Sequence, residues 1–171
     1  MSRYRDGDAT AFDELYARHA DRLFRFVLRM SRGRTEADEI AQDVWIAVVR
    51  ARTTYMPTAR FTTFLFSIAH RRCTDRLRSL VRRAKFWVED AVEAATETGP
   101  FDVLHANQLG RALLAAIQDL PASQREAFLL KEEGELTLDE IALVTGASRE
   151  TVKSRLRYAQ RRLREALDTW R

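Results

Sequence analysis

The chain has 171 residues, 46% of them apolar and 32% charged, a balance that suits folded helical or mixed domains and excludes a disordered tail. Lys and Arg outnumber Asp and Glu by 29 to 25, a net charge of only +4, and a single cysteine, Cys73, excludes an intramolecular disulfide framework or a multi-thiolate metal site. No uninterrupted apolar run approaches the roughly 20 residues a membrane-spanning helix needs, so the protein is expected to be cytoplasmic, with no direct membrane insertion.

The first strong helical period is Phe12, Leu15, Tyr16, His19, Leu23, Phe26, Val27 and Met30, spaced by three and four. Ser31-Arg32-Gly33-Arg34 supplies a stop, and Thr35 is the expected N-cap of a second helix. That helix carries Glu36, Asp38 and Glu39 in its first turn and Ile40, Val44 and Val48 on its apolar side. A polar interval containing Tyr55 and Pro57 then predicts a loop with an exposed aromatic. Phe61, Phe64, Leu65, Ile68, Ala69 and Leu77 resume the helical stripe.

This stripe runs into a basic stretch, Arg71, Arg72, Arg76, Arg78, Arg82, Arg83 and Lys85. Glu89, Asp90, Glu93, Glu97 and Asp102 form an acidic interval, and Thr98-Gly99-Pro100 punctuates the chain, so a flexible linker is expected over 82–107. It separates a domain over 1–81 from one over 108–171. The fold expected is all-α, two small helical domains joined by that linker.

In the second domain Leu109, Leu113, Leu114, Ile117 and Leu120 predict a helix ended by Pro121, and a further helix starts at Ala122. Thr137-Leu138-Asp139-Glu140 fits a capping box. A short helix follows, Gly146 suits a left-handed helix end, and Ser148 caps the next helix. This is helix-turn-helix spacing. In the last helix Val152, Leu156, Ala159 and Leu163 share one face, and Arg149, Lys153 and Arg157 share another with Glu150 and Ser154 beside them. A second basic stretch, Arg149 to Arg164, thus reads either as a solvated helix face or as a surface for polyphosphate. Caps, turn and basic face together favour entry into a DNA major groove. His19, His70 and His105 are scattered, and no metal cluster, Gly-rich phosphate loop or nucleophile motif is present; no catalysis, metal or cofactor is expected.

Pro121 to Leu130, Leu138-Asp139-Glu140-Ile141-Ala142 and Thr151-Val152-Lys153-Ser154-Arg155-Leu156 closely resemble region 4 of the extracytoplasmic-function (ECF, group IV) sigma factors of the sigma-70 class. Ala37 to Trp45 resembles region 2.2 of the same family, and Phe61 to Arg78 resembles regions 2.3 and 2.4. The resemblance implies a non-catalytic subunit that directs promoter-specific initiation by RNA polymerase, with residues 1–81 as region 2 and 108–171 as region 4. It implies that Asp38, Glu39, Gln42 and Asp43 dock on the polymerase β′ clamp helices. Tyr55, Phe64, His70, Arg71, Arg72 and Arg76 fall on the single-stranded minus-10 surface, and Arg149, Glu150, Lys153, Ser154 and Arg157 on the minus-35 duplex surface. The β-flap of the polymerase, promoter DNA and an anti-sigma factor are the further partners it implies.

Two positions depart from the family pattern. Phe64-Leu65 stands where Trp-Leu is common, which keeps an aromatic. Arg71 stands where Asn is common, exchanging a two-way hydrogen-bonding amide for a donor-only cation, so the family's minus-10 base preference does not transfer. Asp75 matches, with neighbouring arginines as its expected partners. Two other readings remain at this point: a stand-alone helix-turn-helix regulator binding an operator, and a helical interaction protein without a nucleic-acid role.

Overall fold

A computed structural model describes residues 1–86 and 108–168, and among them every regular element is a helix. The chain divides into two compact units, Met1–Glu97 and Thr98–Arg171. The linker expected over 82–107 lies, beyond Phe86, outside the described residues. No described helix is long and apolar enough to cross a membrane.

The N-terminal unit contains α1 (Ser2–Arg5), α2 (Thr10–Met30), α3 (Arg34–Arg50) and α4 (Phe61–Phe86). Helices α2, α3 and α4 pack on one another as a three-helix bundle. The apolar stripe of α2 explains why: Leu15, His19, Leu23, Phe26 and Val27 are buried, whereas Tyr16, expected on that stripe, is about half exposed and rests its ring 4.9 Å from Trp45. Phe26 meets Phe66 of α4 edge to face at 5.3 Å, and Thr63, Leu65, Ala69 and Cys73 of α4 are buried with them. Each fully buried side chain of this size contributes about 1.5–3 kcal/mol. Leu77, expected on the α4 stripe, is exposed.

Thr35 does not cap α3. Gly33 occupies the N-cap in extended geometry, and Thr35 lies inside the first turn. Glu36 reaches back instead, its Oε2 accepting the Arg32 N–H at 2.9 Å, so a carboxylate three residues into the helix satisfies the chain entering it. The polar start of the chain forms α1, which no periodicity announces. Tyr4 is buried with its ring 5.3 Å from Phe12, and Arg52 both donates from Nε to the Tyr4 carbonyl at 2.9 Å and lies 5.1 Å over the Tyr4 ring. Gly7, at φ +112°, permits the turn into α2 that this contact requires.

The C-terminal unit contains α5 (Gln108–Gln118), α6 (Ala122–Glu132), α7 (Leu138–Thr145) and α8 (Arg149–Leu167), with α8 packed against the other three. Ile117, Leu120, Ala127, Leu129, Leu130, Leu136 and Ile141 close over Val152, Leu156, Ala159 and Leu163. Helix α5 stops at Gln118, short of Pro121, which serves as the N-cap of α6.

Candidate polymerase and nucleic-acid interfaces

The helix-turn-helix is held by local chemistry at each joint. Thr137 Oγ1 accepts the Glu140 N–H at 3.3 Å while Glu140 Oε2 accepts the Thr137 N–H at 2.8 Å, the reciprocal capping box. Gly146 takes the left-handed conformation, φ 66° and ψ 21°, where a side chain is disfavoured. Ser148 Oγ then accepts the Thr151 N–H at 3.1 Å and opens α8. With Val152, Leu156, Ala159 and Leu163 buried, Arg149, Glu150, Lys153 and Arg157 are exposed together and Ser154 is partly buried.

The outward residues are not uniformly loose. Arg149 Nε lies 3.1 Å from Asp139 Oδ1 at the start of α7. Arg157 and Arg161 flank the Tyr158 ring, each guanidinium 5.2 Å from its centroid, which limits their motion by cation–π attraction. Arg155 departs from the expected basic surface: it turns inward and pairs with the largely buried Glu126 of α6 at 3.9 Å. Its position beside Leu156 places it at the α6–α8 seam, where the carboxylate compensates its partial desolvation.

In the N-terminal unit, Asp38, Glu39, Gln42 and Asp43 are all exposed on α3, away from buried Ala37, Ile40 and Val44. Arg34 lies 3.9 Å from Asp38. Arg76 of α4 joins this acidic face to the bundle, with Nε 3.1 Å from Glu36 Oε1 and Nη2 3.3 Å from Glu39 Oε2. Arg76 therefore starts from two carboxylates. Arg71 and Arg72 are exposed on α4, His70 is partly buried, and Asp75 pairs with Arg78 at 3.7 Å, an arginine neighbour of the kind expected.

Tyr55 is not the exposed aromatic expected of its loop. Its N–H donates to the Ala51 carbonyl at 2.8 Å, folding the chain back so that its ring meets Phe64 edge to face at 5.1 Å, and it is only 7% exposed. Burial raises the pKa of its phenol. Phe64 is partly exposed and lies 6.2 Å from Phe61. The large apolar side chain that the loop does expose is Met56, at 72%.

Residues 15–83 match sigma-70 region 2, and residues 110–163 match sigma-70 region 4. The chain is 32% identical over 167 residues to the RNA polymerase sigma factor CarQ of Myxococcus xanthus, covering 98% of this chain and 95% of CarQ. It is 33% identical to the ECF RNA polymerase sigma factor RpoE of Cereibacter sphaeroides, covering 92% of this chain and 87% of that one. The chain belongs to the ECF sigma factors.

Its function is that of an RNA polymerase sigma factor. Among solved structures, the sigma factor RpoE from Bartonella quintana, in complex with the anti-sigma factor NepR, shares its fold with a TM-score of 0.75 at 21% identity, covering 95% of this chain and 100% of that one. Within this sigma factor, sequence reasoning passed over Glu36, Arg52 and Asp139 as partners of site and framework residues. Glu36 carried a signal, an acid at the third helical position. Arg52 and Asp139 carried none, because their partners lie 48 and 10 positions away along the chain.

Proposed function

We propose that this protein, as a group IV sigma factor, binds core RNA polymerase through Asp38, Glu39, Gln42 and Asp43 of region 2, whose clustered acids and amide suit basic clamp helices on β′. Region 4 meets the β-flap and reads the minus-35 duplex through Arg149, Glu150, Lys153, Ser154 and Arg157. Residues 1–81 and 108–171 act as the two functional domains, with 82–107 as the segment that connects them. The observation that carries the reading is the exposure of one cationic helix face, fixed by caps and a glycine turn, opposite a fully buried one.

Region 2 takes the minus-10 single strand on the surface formed by Phe64, His70, Arg71 and Arg72. Unstacking a base costs a few kcal/mol, which aromatic stacking and phosphate contacts offset. Tyr55 supports that surface through Phe64. Arg76 joins it only by leaving Glu36 and Glu39. No step here is catalytic; covalent chemistry stays with the core enzyme, and the site of action is the cytoplasm. An anti-sigma protein is the expected inhibitor, by analogy with the complex that RpoE of Bartonella quintana forms with NepR.

The test is a gel-shift and run-off transcription assay with purified core polymerase and a pool of promoter templates. Specific binding and initiation are expected only when core and this chain are both present. Sequence-specific binding by the chain alone, with no core-dependent transcription, would point to a stand-alone operator protein instead.

A further inference from the structure

Arg149 is the first residue of α8, at the positive end of the helix dipole, where a cation is disfavoured. Helix stability therefore does not account for its orientation. Asp139 offers an ion pair instead: it is the second residue of α7, and its Oδ1 lies 3.1 Å from Arg149 Nε, with both side chains more than half exposed. The two reciprocal capping bonds span Asp139, fixing the backbone on both sides of it, and the left-handed Gly146 sets the turn that brings the start of α8 beside it. A carboxylate in this place is favoured by the positive end of the α7 dipole but has an electrostatic cost beside a face built to approach phosphates. Glu140, the other acid of this turn, is engaged with Thr137, while Glu150 and Lys153 share the α8 surface with Arg149.

We propose that Asp139 is a positioning residue for minus-35 recognition, its carboxylate biasing the Arg149 guanidinium by charge so that its donors meet one base pair in a preferred orientation. The inference rests on the assignment of α8 to the minus-35 element. A guanidinium has five donors in a planar fork, and reading a guanine edge needs two of them aligned with O6 and N7. An arginine restrained before binding loses less rotamer freedom on docking and reaches fewer wrong edges, so the restraint sharpens discrimination more than it raises affinity.

The experiment uses the full chain with core polymerase, transcribing a template pool randomised over the minus-35 element. Asp139→Asn, Arg149→Ala and the double variant are compared with the parent. Arg149→Ala is expected to flatten the preference at one base pair. Asp139→Asn is expected to flatten it at that same pair by about five- to tenfold, within what one bidentate base contact supplies. The double variant should be no flatter there than Arg149→Ala alone, and thermal melting of Asp139→Asn should stay close to the parent, lowered only by the lost interaction with the α7 dipole.

Uniformly higher output from Asp139→Asn with every base preference intact would overturn the inference, since the carboxylate would then act only by repelling phosphate. Flattening at a different base pair would overturn it equally. No change of preference in Arg149→Ala would instead remove the underlying assignment of Arg149 to the DNA.

Discussion

Cys73 shows how a side chain's chemistry follows from its neighbours. It is 4% exposed on α4, and burial first, then the nearby Glu36 carboxylate, push its thiol up to about 12. The folded chain therefore keeps the proton while the unfolded chain loses it near the ordinary value. Its stability contribution is complete below about pH 9 and falls as pH rises from there to about 12. At pH 8 iodoacetamide should label the native protein far more slowly than the urea-unfolded chain, and labelling should track the unfolding transition; native labelling at the rate of a free thiol would contradict the packing. The sequence showed Cys73 to be the chain's single thiol, whereas its burial and its closeness to Glu36 depend on α3 lying against α4. Tyr55 marks the opposite outcome: its loop was legible from Pro57, but the backbone turn onto Ala51 that buries the ring was not.

At the scale of the element, the joints of the helix-turn-helix were legible because every group involved is within a few residues of its partner. Removing the Thr137 hydroxyl by Thr137→Ala breaks one of the two bonds of the capping box and is expected to cost about 1 kcal/mol, read as a lower urea midpoint with an unchanged slope. A midpoint unchanged within error would mean that solvent satisfies the Glu140 N–H as well as the cap does. Helix α1 was not legible, since four residues cannot sustain a helix by themselves and Tyr4 is held by Phe12 and Arg52 instead. The start of α3 falls between these cases. Several residues in Ser31 to Thr35 suit a helix entry, and the reach of Glu36 to the Arg32 N–H favours Gly33 over Thr35.

For the whole molecule, binding to promoter DNA is expected to weaken steeply with salt because phosphate neutralisation releases counterions. In the complete holoenzyme, Arg71→Ala and Arg72→Ala should each lower the slope of log affinity against log salt by about 0.7 to 0.9. Arg76→Ala should lower it less, because Arg76 must exchange Glu36 and Glu39 for any phosphate it meets. Equal slope changes for all three would show that the α3–α4 ion pairs do not compete with DNA. The same distinction separates the two basic stretches as read along the chain from the surfaces they form: Arg155 and Arg76 belong to those stretches but face carboxylates on neighbouring helices. By itself the sequence determined the helical class, the family, the caps of the helix-turn-helix and the buried centre of most apolar stripes, which depend on motifs and on spacing within a few turns. Only the tertiary structure decided which cations are engaged by carboxylates, that Tyr55 is buried, and that Asp139 meets Arg149, because these depend on distances between helices that no local periodicity encodes.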